Sequence, residues 1–323
     1  MDEAAAPTPS RPPDGPPGRA DVDALVARLA PRAKSLIVTV YGDALQPHGG
    51  SCWLGSLIRL VAPLGLGERM VRTAVYRLSQ DGLLTSEQAG RRSYYALTAD
   101  GRRQFESAQT RIYALPERDW DGRWLFVLLT DDAPAPAREA LRKELAFQGF
   151  SALSPALFAH PAADAGTARR AVAAHGLEEH ALTLEAAAGD AAPLRPLRRI
   201  VAGGWALDAM DAQYRAFLEA FRPLGERLRA AGPPDAEAAF LLRVLLIHDY
   251  RRILLRDPGL PPELLPTDWA GTRATLLAAD LYHRLAPAAE RWLAATVATR
   301  DGPLPPADPG FFRRFGGLER AAR

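Results

Sequence analysis

The stretch from Gly67 to Leu84, GERMVRTAVYRLSQDGLL, constrains the fold more than any other part of the chain. Val71, Ala74, Val75 and Leu78 recur at i, i+3, i+4 and i+7, the spacing of a helix with one buried stripe. At about 100° per residue, Arg69, Thr73, Tyr76 and Gln80 then lie opposite that stripe, with Arg72 and Arg77 on its flanks. Upstream, Leu54, Leu57, Ile58 and Val61 repeat the same spacing, Pro63 ends that helix and LGLG turns the chain. Two helices joined in this way form a helix-turn-helix. Downstream, strand-like runs at 83 to 86 and 93 to 97 flank a tip from Gln88 to Arg92 that contains Gly90, which predicts a β-hairpin with a basic end. The combination is a winged helix.

The surrounding sequence supplies packing partners. SLIVTVYGDAL, 35 to 45, alternates like a strand at Leu36, Val38 and Val40 and repeats like a helix at Ile37, Val40, Tyr41 and Ala44. A helix capped by Ser35 is the chosen reading, because the following helices need something to pack on. Thr98 caps a further helix in which Phe105, Ala108 and Ile112 share a face. The first unit thus covers 21 to 115, after a Pro- and Ala-rich stretch over 1 to 20 that reads as a disordered tail.

From 116 to 192 the pattern changes. RWLFVLL reads as a buried strand, PAREALRKELAFQGF as a helix ending at Gly149, SALSPALFAHP as a strand, TARRAVAAHG as a helix and HALTLEA as a strand. The order β-α-β-α-β suggests a small ferredoxin-like α+β domain. From 193 to 323, long apolar-periodic stretches centred on 210–232, 235–257 and 272–297 predict an all-helical domain. The whole is an α+β multidomain chain.

Composition narrows the function classes. The apolar runs are far shorter than the roughly 20 residues that cross a bilayer, so no membrane span is expected. The N-terminus has neither a basic start nor an apolar core, and a cytoplasmic protein is expected. The single cysteine, Cys52, excludes an intrachain disulfide and a thiolate zinc cage and reads as a small buried hydrophobe. The six histidines show no metal-ligand spacing, and no nucleophile elbow, Walker A loop or dinucleotide fingerprint occurs. No catalytic residue, metal or cofactor is assigned.

A net charge of +2 does not by itself identify a nucleic-acid partner, so local placement decides. Arg69, Thr73, Tyr76 and Gln80 have the chemistry to read base edges in a major groove, with Arg72 and Arg77 beside the phosphate walls. Arg91, Arg92, Ser93 and Tyr94 of the hairpin would add backbone or minor-groove contacts. In the helical domain, HDYRRILLRDP is the densest polar cluster in an apolar helix, with His248, Arg251, Arg252 and Leu255 on one face. An ion-pair network between helices accounts for it. The alternative is an anion site for a phosphate-bearing effector, with Trp205, Tyr214, Trp269 and Tyr282 as aromatic walls.

Five stretches carry a family resemblance: SLIVTVYGDALQPHGGSCWLGSLIRL, RMVRTAVYRLSQDGLL, GRRSYYALTADGRRQF, RIYALPERDWDGRW and HDYRRILLRDPGLPPELLPTDWAG. Spread in order from about 35 to about 285, they resemble the PaaX-type transcriptional repressors of phenylacetate catabolism. The resemblance implies a winged-helix DNA-binding domain, a ferredoxin-like middle, a helical C-terminal domain and a homodimer. It also implies double-stranded operator DNA as partner and release by an aryl-coenzyme A effector, phenylacetyl-coenzyme A. Effector contacts are expected from Trp205, His248, Tyr250, Arg251 and Arg252. The middle domain resembles a nuclease-related fold of CRISPR systems, but no matching catalytic pair is present and nuclease activity is not carried over. The competing reading is an enzyme that processes acyl-coenzyme A or nucleic acid through that domain; activation of transcription through the same DNA contacts is a third.

Overall fold

The computed structural model describes residues 15–115, 120–187 and 194–318. The expected tail lies outside the described residues up to residue 14, but its end is helical, because α1 spans Arg19–Leu29. The domain boundaries expected at 115/116 and 192/193 touch 116–119 and 188–193, which also lie outside them.

After α1, α2 runs over Ala33–Thr39 and widens into a π-helical turn, Val40–Leu45. The expected helix is present, but Ser35 does not cap it: the helix starts two residues earlier, and Ser35 offers its carbonyl to Thr39 Oγ at 3.1 Å. A short strand β1 (Ser51–Trp53) precedes α3 (Leu54–Val61), and α4 follows at Glu68–Gln80. Gly65 permits the turn between the two helices, since its φ of 80° is a left-handed conformation that a side chain would disfavour. β2 (Leu84–Ala89) and β3 (Arg92–Leu97) pair antiparallel, and β1 joins β3 to give the order β1-β3-β2. Thr98 Oγ accepts the Gly101 amide at 2.9 Å and caps α5 (Ala99–Ile112).

The middle unit comprises β4 (Arg123–Leu129), α6 (Ala135–Phe147), β5 (Ser151–Ser154), β6 (Leu157–His160), α7 (Ala165–Ala174) and β7 (Ala181–Ala187). The sequence reading took SALSPALFAHP as one strand; it is a hairpin of two, β5 and β6. Pro155 is the reason, because it has no amide hydrogen for a ladder and a fixed φ suited to a turn. The four strands pair antiparallel in the order β5-β6-β4-β7. Leu141 and Leu145 of α6 and Ala168 and Val172 of α7 close one face of the sheet over Leu125, Val127, Leu129 and Phe158. On the other face, Leu128, Leu182 and Leu184 are exposed.

The remaining helices are α8 (Leu194–Gly204), α9 (Leu207–Ala231), α10 (Ala236–Leu254) and α11 (Ala270–Thr296), followed by the two-residue strands β8 (Ala298–Thr299) and β9 (Gly302–Pro303). Among the described residues no helix is long and apolar enough to cross a membrane. Residues of α2, α4, α9, α10 and α11 share one continuous apolar core.

That shared core encloses charge. Asp43, in the π-helical turn, faces Arg243 of α10, with Nε to Oδ2 at 3.0 Å and both side chains fully buried. Its other oxygen accepts from Tyr113 at 2.7 Å and Tyr282 at 2.9 Å, and Arg314 donates to its backbone carbonyl at 2.8 Å. Arg243 also reaches Glu290 at 2.6 Å, which in turn meets His48 Nε2 at 2.9 Å. Each charge has an opposite partner, the condition under which buried ions are tolerated.

Candidate nucleic-acid interface

The stripe of α4 decides which way its arginines point. Val71, Ala74, Val75 and Leu78 are buried against α2 and α3, as the spacing required. Arg69, Arg72, Thr73, Tyr76, Arg77 and Gln80 are consequently all exposed. Tyr76 is 63% exposed, which costs a large aromatic its burial unless another surface covers it. Glu68 in the first turn and Arg77 in the last complement the helix dipole.

The exposed groups are not equivalent. Arg72 is engaged by Glu68 through Nε and Nη2, at 2.8 and 2.6 Å. Thr73 Oγ donates to the Arg69 carbonyl at 2.9 Å, leaving its methyl group and lone pairs outward. Among the described residues, Arg69, Arg77 and Arg91 have no carboxylate partner. An ion pair between Lys34 and Asp81 fixes the end of α4 to α2.

The hairpin places Arg91 beside Gly90 at its tip, with Gln88 opposite Ser93 and Ala89 opposite Arg92. Arg92 lies over the Trp53 ring, 4.7 Å from its centroid, a cation–π contact that limits the wandering of a long side chain. Ser93 is half-buried. Tyr94 is only 9% exposed and belongs to the packed side of β3, so little of it is available for contact. Three residues escaped the sequence reading: Trp53, Glu87 and Arg300. Glu87 of β2 pairs with Arg300, in the turn between β8 and β9, which brings the C-terminal region against the hairpin. Period-2 alternation through Ser51–Trp53 could have revealed β1 and hence Trp53; nothing local signals a pair more than 200 positions apart.

The five residues expected to hold an effector do not come together. Trp205 donates to the Gly149 carbonyl at 2.7 Å and packs by Trp124, at the junction with the middle unit. His248 Nδ1 lies 3.1 Å from Thr39 Oγ, and burial, aided by Arg251 and Arg252, pushes its pKa down to about 3, so the ring is neutral. Arg251 donates to Thr39 Oγ and to the Ser35 carbonyl, both at 2.8 Å. Tyr250 turns the other way, to Thr275 Oγ at 2.9 Å. Arg252 is exposed, its nearest carboxylate being Asp249 at 3.9 Å. Arg251 borders a cavity of about 170 Å³ between α2, α5 and α10. Tyr250 borders a separate cleft of about 310 Å³ among α9, α10, α11 and the middle unit.

Cys52 is buried and burial pushes its thiol up to about 12, which leaves it unreactive. Among the described residues no group of three or more His, Cys, Asp or Glu could hold a metal ion.

These features define a mixed α+β chain with a helical C-terminal region, and the comparisons place it further. Residues 32–101 match the PaaX-like protein family, 117–197 the PaaX protein central Cas2-like domain and 205–295 the PaaX-like protein C-terminal domain. The transcriptional repressor PaaX of Escherichia coli (strain K12) is 41% identical over 285 residues, covering 88% of this chain and 90% of that one. The chain belongs to the PaaX family. Among solved structures, the uncharacterized protein Rv0674 from Mycobacterium tuberculosis is similar at 24% identity, covering 81% of this chain and 98% of that one with a TM-score of 0.48.

Proposed function

We propose that this protein is a DNA-binding transcriptional repressor of an aromatic-acid, phenylacetate-type catabolic operon, released from its operator by an aryl-coenzyme A thioester such as phenylacetyl-coenzyme A. Family membership and the name of the E. coli relative support it. The observation that carries it is the outward face of α4: a buried stripe orients Arg69, Thr73, Tyr76 and Gln80 away from the core beside a hairpin with Arg91 at its tip.

In this reading the first unit is a winged helix-turn-helix with α4 as recognition helix and β2–β3 as wing, and the middle unit is ferredoxin-like. Arg69, Thr73, Tyr76 and Gln80 meet base edges; Arg72, Arg77, Arg91, Arg92 and Ser93 meet the backbone, with Tyr94 supporting the wing. Two copies bind as a homodimer, their recognition helices about 34 Å apart in successive major grooves of a near-palindromic site in cytoplasmic DNA. The effector acts by binding the released state more tightly than the DNA-bound one. Of the residues proposed for effector sensing, Arg251 lines the cavity and His248 ties α10 to α2 beside it, while Trp205, Tyr250 and Arg252 would act from separate places. No enzymatic step is required. A gel shift on the DNA upstream of the operon tests the reading: wild type binds, Arg69→Ala/Arg77→Ala does not, and phenylacetyl-coenzyme A dissolves the complex. Release of free thiol from the thioester would instead favour an enzyme.

A further inference from the structure

Arg251 is a cation with neutral partners only. Its Nε is held by Thr39 Oγ, and Nη2 by the Ser35 carbonyl and, at 3.2 Å, by Ser35 Oγ. No carboxylate answers its charge among the described residues, and burial pulls its pKa down to about 10. The guanidinium borders the cavity of about 170 Å³, whose other walls include Val38, Phe105, Ala108, Ile112, Ile247 and Leu255. An apolar cavity of about 150 Å³ admits a benzene molecule. A hole of this size and lining therefore suits one aromatic ring, and the unanswered cation suits an acyl or carboxylate oxygen attached to it. The carboxylate of Asp43 also borders the cavity, but Arg243, Tyr113 and Tyr282 already engage it. Gln109 is likewise occupied, by the Gly42 carbonyl at 3.0 Å and Gln46 at 2.7 Å.

We propose that this cavity seats the aryl-acyl head of the effector, with the ring between Phe105, Ala108 and Ile247 and the acyl oxygen on Arg251. The proposal rests on the release reading above and assigns it a place. The coenzyme, much larger than the cavity, stays outside, past exposed Gln104 at the rim. The position explains how a ligand there reaches DNA. The walls come from α2 with its π-helical turn, from α5 and from α10, and α2 packs directly on α4. The π-helical turn and α5 meet without slack, since a Cβ placed on Gly42 would lie 2.8 Å from the Phe105 ring. An occupant that fills the cavity and presses on Phe105 is resisted on the Gly42 side, so the push passes to the seating of α5 and α2, and through α2 to α4. π-Helical turns interrupt the regular bonding pattern and occur frequently at functional sites.

The test uses the full chain with 4-fluorophenylacetyl-coenzyme A and 4-fluorophenylacetate as probes, followed by ¹⁹F NMR and calorimetry. Ala108→Phe fills the cavity, Arg251→Gln removes the cation while leaving the volume, and Thr272→Trp fills the other cleft. The expected result is thioester binding to wild type and Thr272→Trp, weakened at least tenfold in Ala108→Phe and Arg251→Gln. Should Ala108→Phe fail to melt cooperatively, Arg251→Gln decides. Undiminished binding in the cavity variants, or loss in Thr272→Trp, overturns the assignment and leaves the release reading standing. If wild type binds no thioester, the release reading falls and the free acid decides: acid bound by wild type but not by Ala108→Phe supports the cavity, and no binding of either probe overturns it as well.

Discussion

The guanidinium of Arg243 and the carboxylate of Asp43 meet at 3.0 Å with neither side chain exposed, 200 positions apart in the chain. Asp43 belongs to the turn that follows α2 and Arg243 to α10, so the pair joins the helix on which α4 packs to the helical region. Removing one member leaves the other charged in an apolar setting, a cost of about 3 to 5 kcal/mol. Asp43→Ala should therefore lower the urea midpoint markedly with little change in slope. Replacing Asp43 and Arg243 together by Leu and Met should recover only part, because Tyr113 and Tyr282 lose their acceptor and Arg314 and Glu290 lose an opposite charge.

Two of the three exposed arginines on α4, Arg69 and Arg72, should fail differently. Arg69→Ala is expected to cost about 1 to 3 kcal/mol on the operator and to blur its base preference. Arg72, proposed to face phosphate, is already paired with Glu68. Its loss should weaken matched and scrambled DNA alike and reduce the salt slope by about one. Gel shifts on both DNAs at two salt concentrations separate these outcomes, and equal losses for the two variants would refute the division.

Glu87 puts a negative charge on the hairpin and occupies Arg300. Glu87→Gln should leave stability within about 1 kcal/mol, as expected of an exposed pair, and should tighten DNA binding by removing repulsion and freeing a cation. Arg300→Ala should loosen it. Thermal melts and gel shifts on the two single variants and the double variant measure the coupling.

His248 makes stability depend on pH. Its folded pKa, about 3, lies below the ordinary value of 6.5, so the unfolded chain binds the extra proton first as pH falls. Its contribution is complete above pH 6.5 and is lost progressively as pH falls towards 3. His248→Gln should flatten the stability profile through that window. A variant with the same slope as wild type would show that another group carries it.

How far the sequence reaches is clear from particular residues. Val71, Ala74, Val75 and Leu78 announced α4 and its outward face because an amphipathic helix writes its orientation at a spacing of three and four. The Thr98 cap and the stop at Gly149 were readable for the same local reason. Pro155 misled, since a run of small apolar residues looks like one strand whether or not a turn interrupts it. The polar cluster near His248 was read as an ion-pair network between helices; His248 and Arg251 do bond to α2, but to the neutral Thr39 and Ser35. The fuller network sits one to two turns earlier, at Arg243, and was missed because Asp43, Glu290 and Arg314, which complete it, come from three distant segments. Trp205 and Tyr250 face different junctions for a related reason: periodicity gives the direction of a side chain on its own helix, not which neighbour waits there.

Arg314 reaches the Asp43 carbonyl across 271 positions, so the ionic centre beneath the α4 surface is closed by a segment made far later. The buried carboxylate belongs to the first fifty residues, yet the set of groups around it is complete only with an arginine from the far end of the described residues. Cutting the chain before Arg314 should therefore be felt at the other end of the molecule, in the packing of the π-helical turn, and not only near the cut.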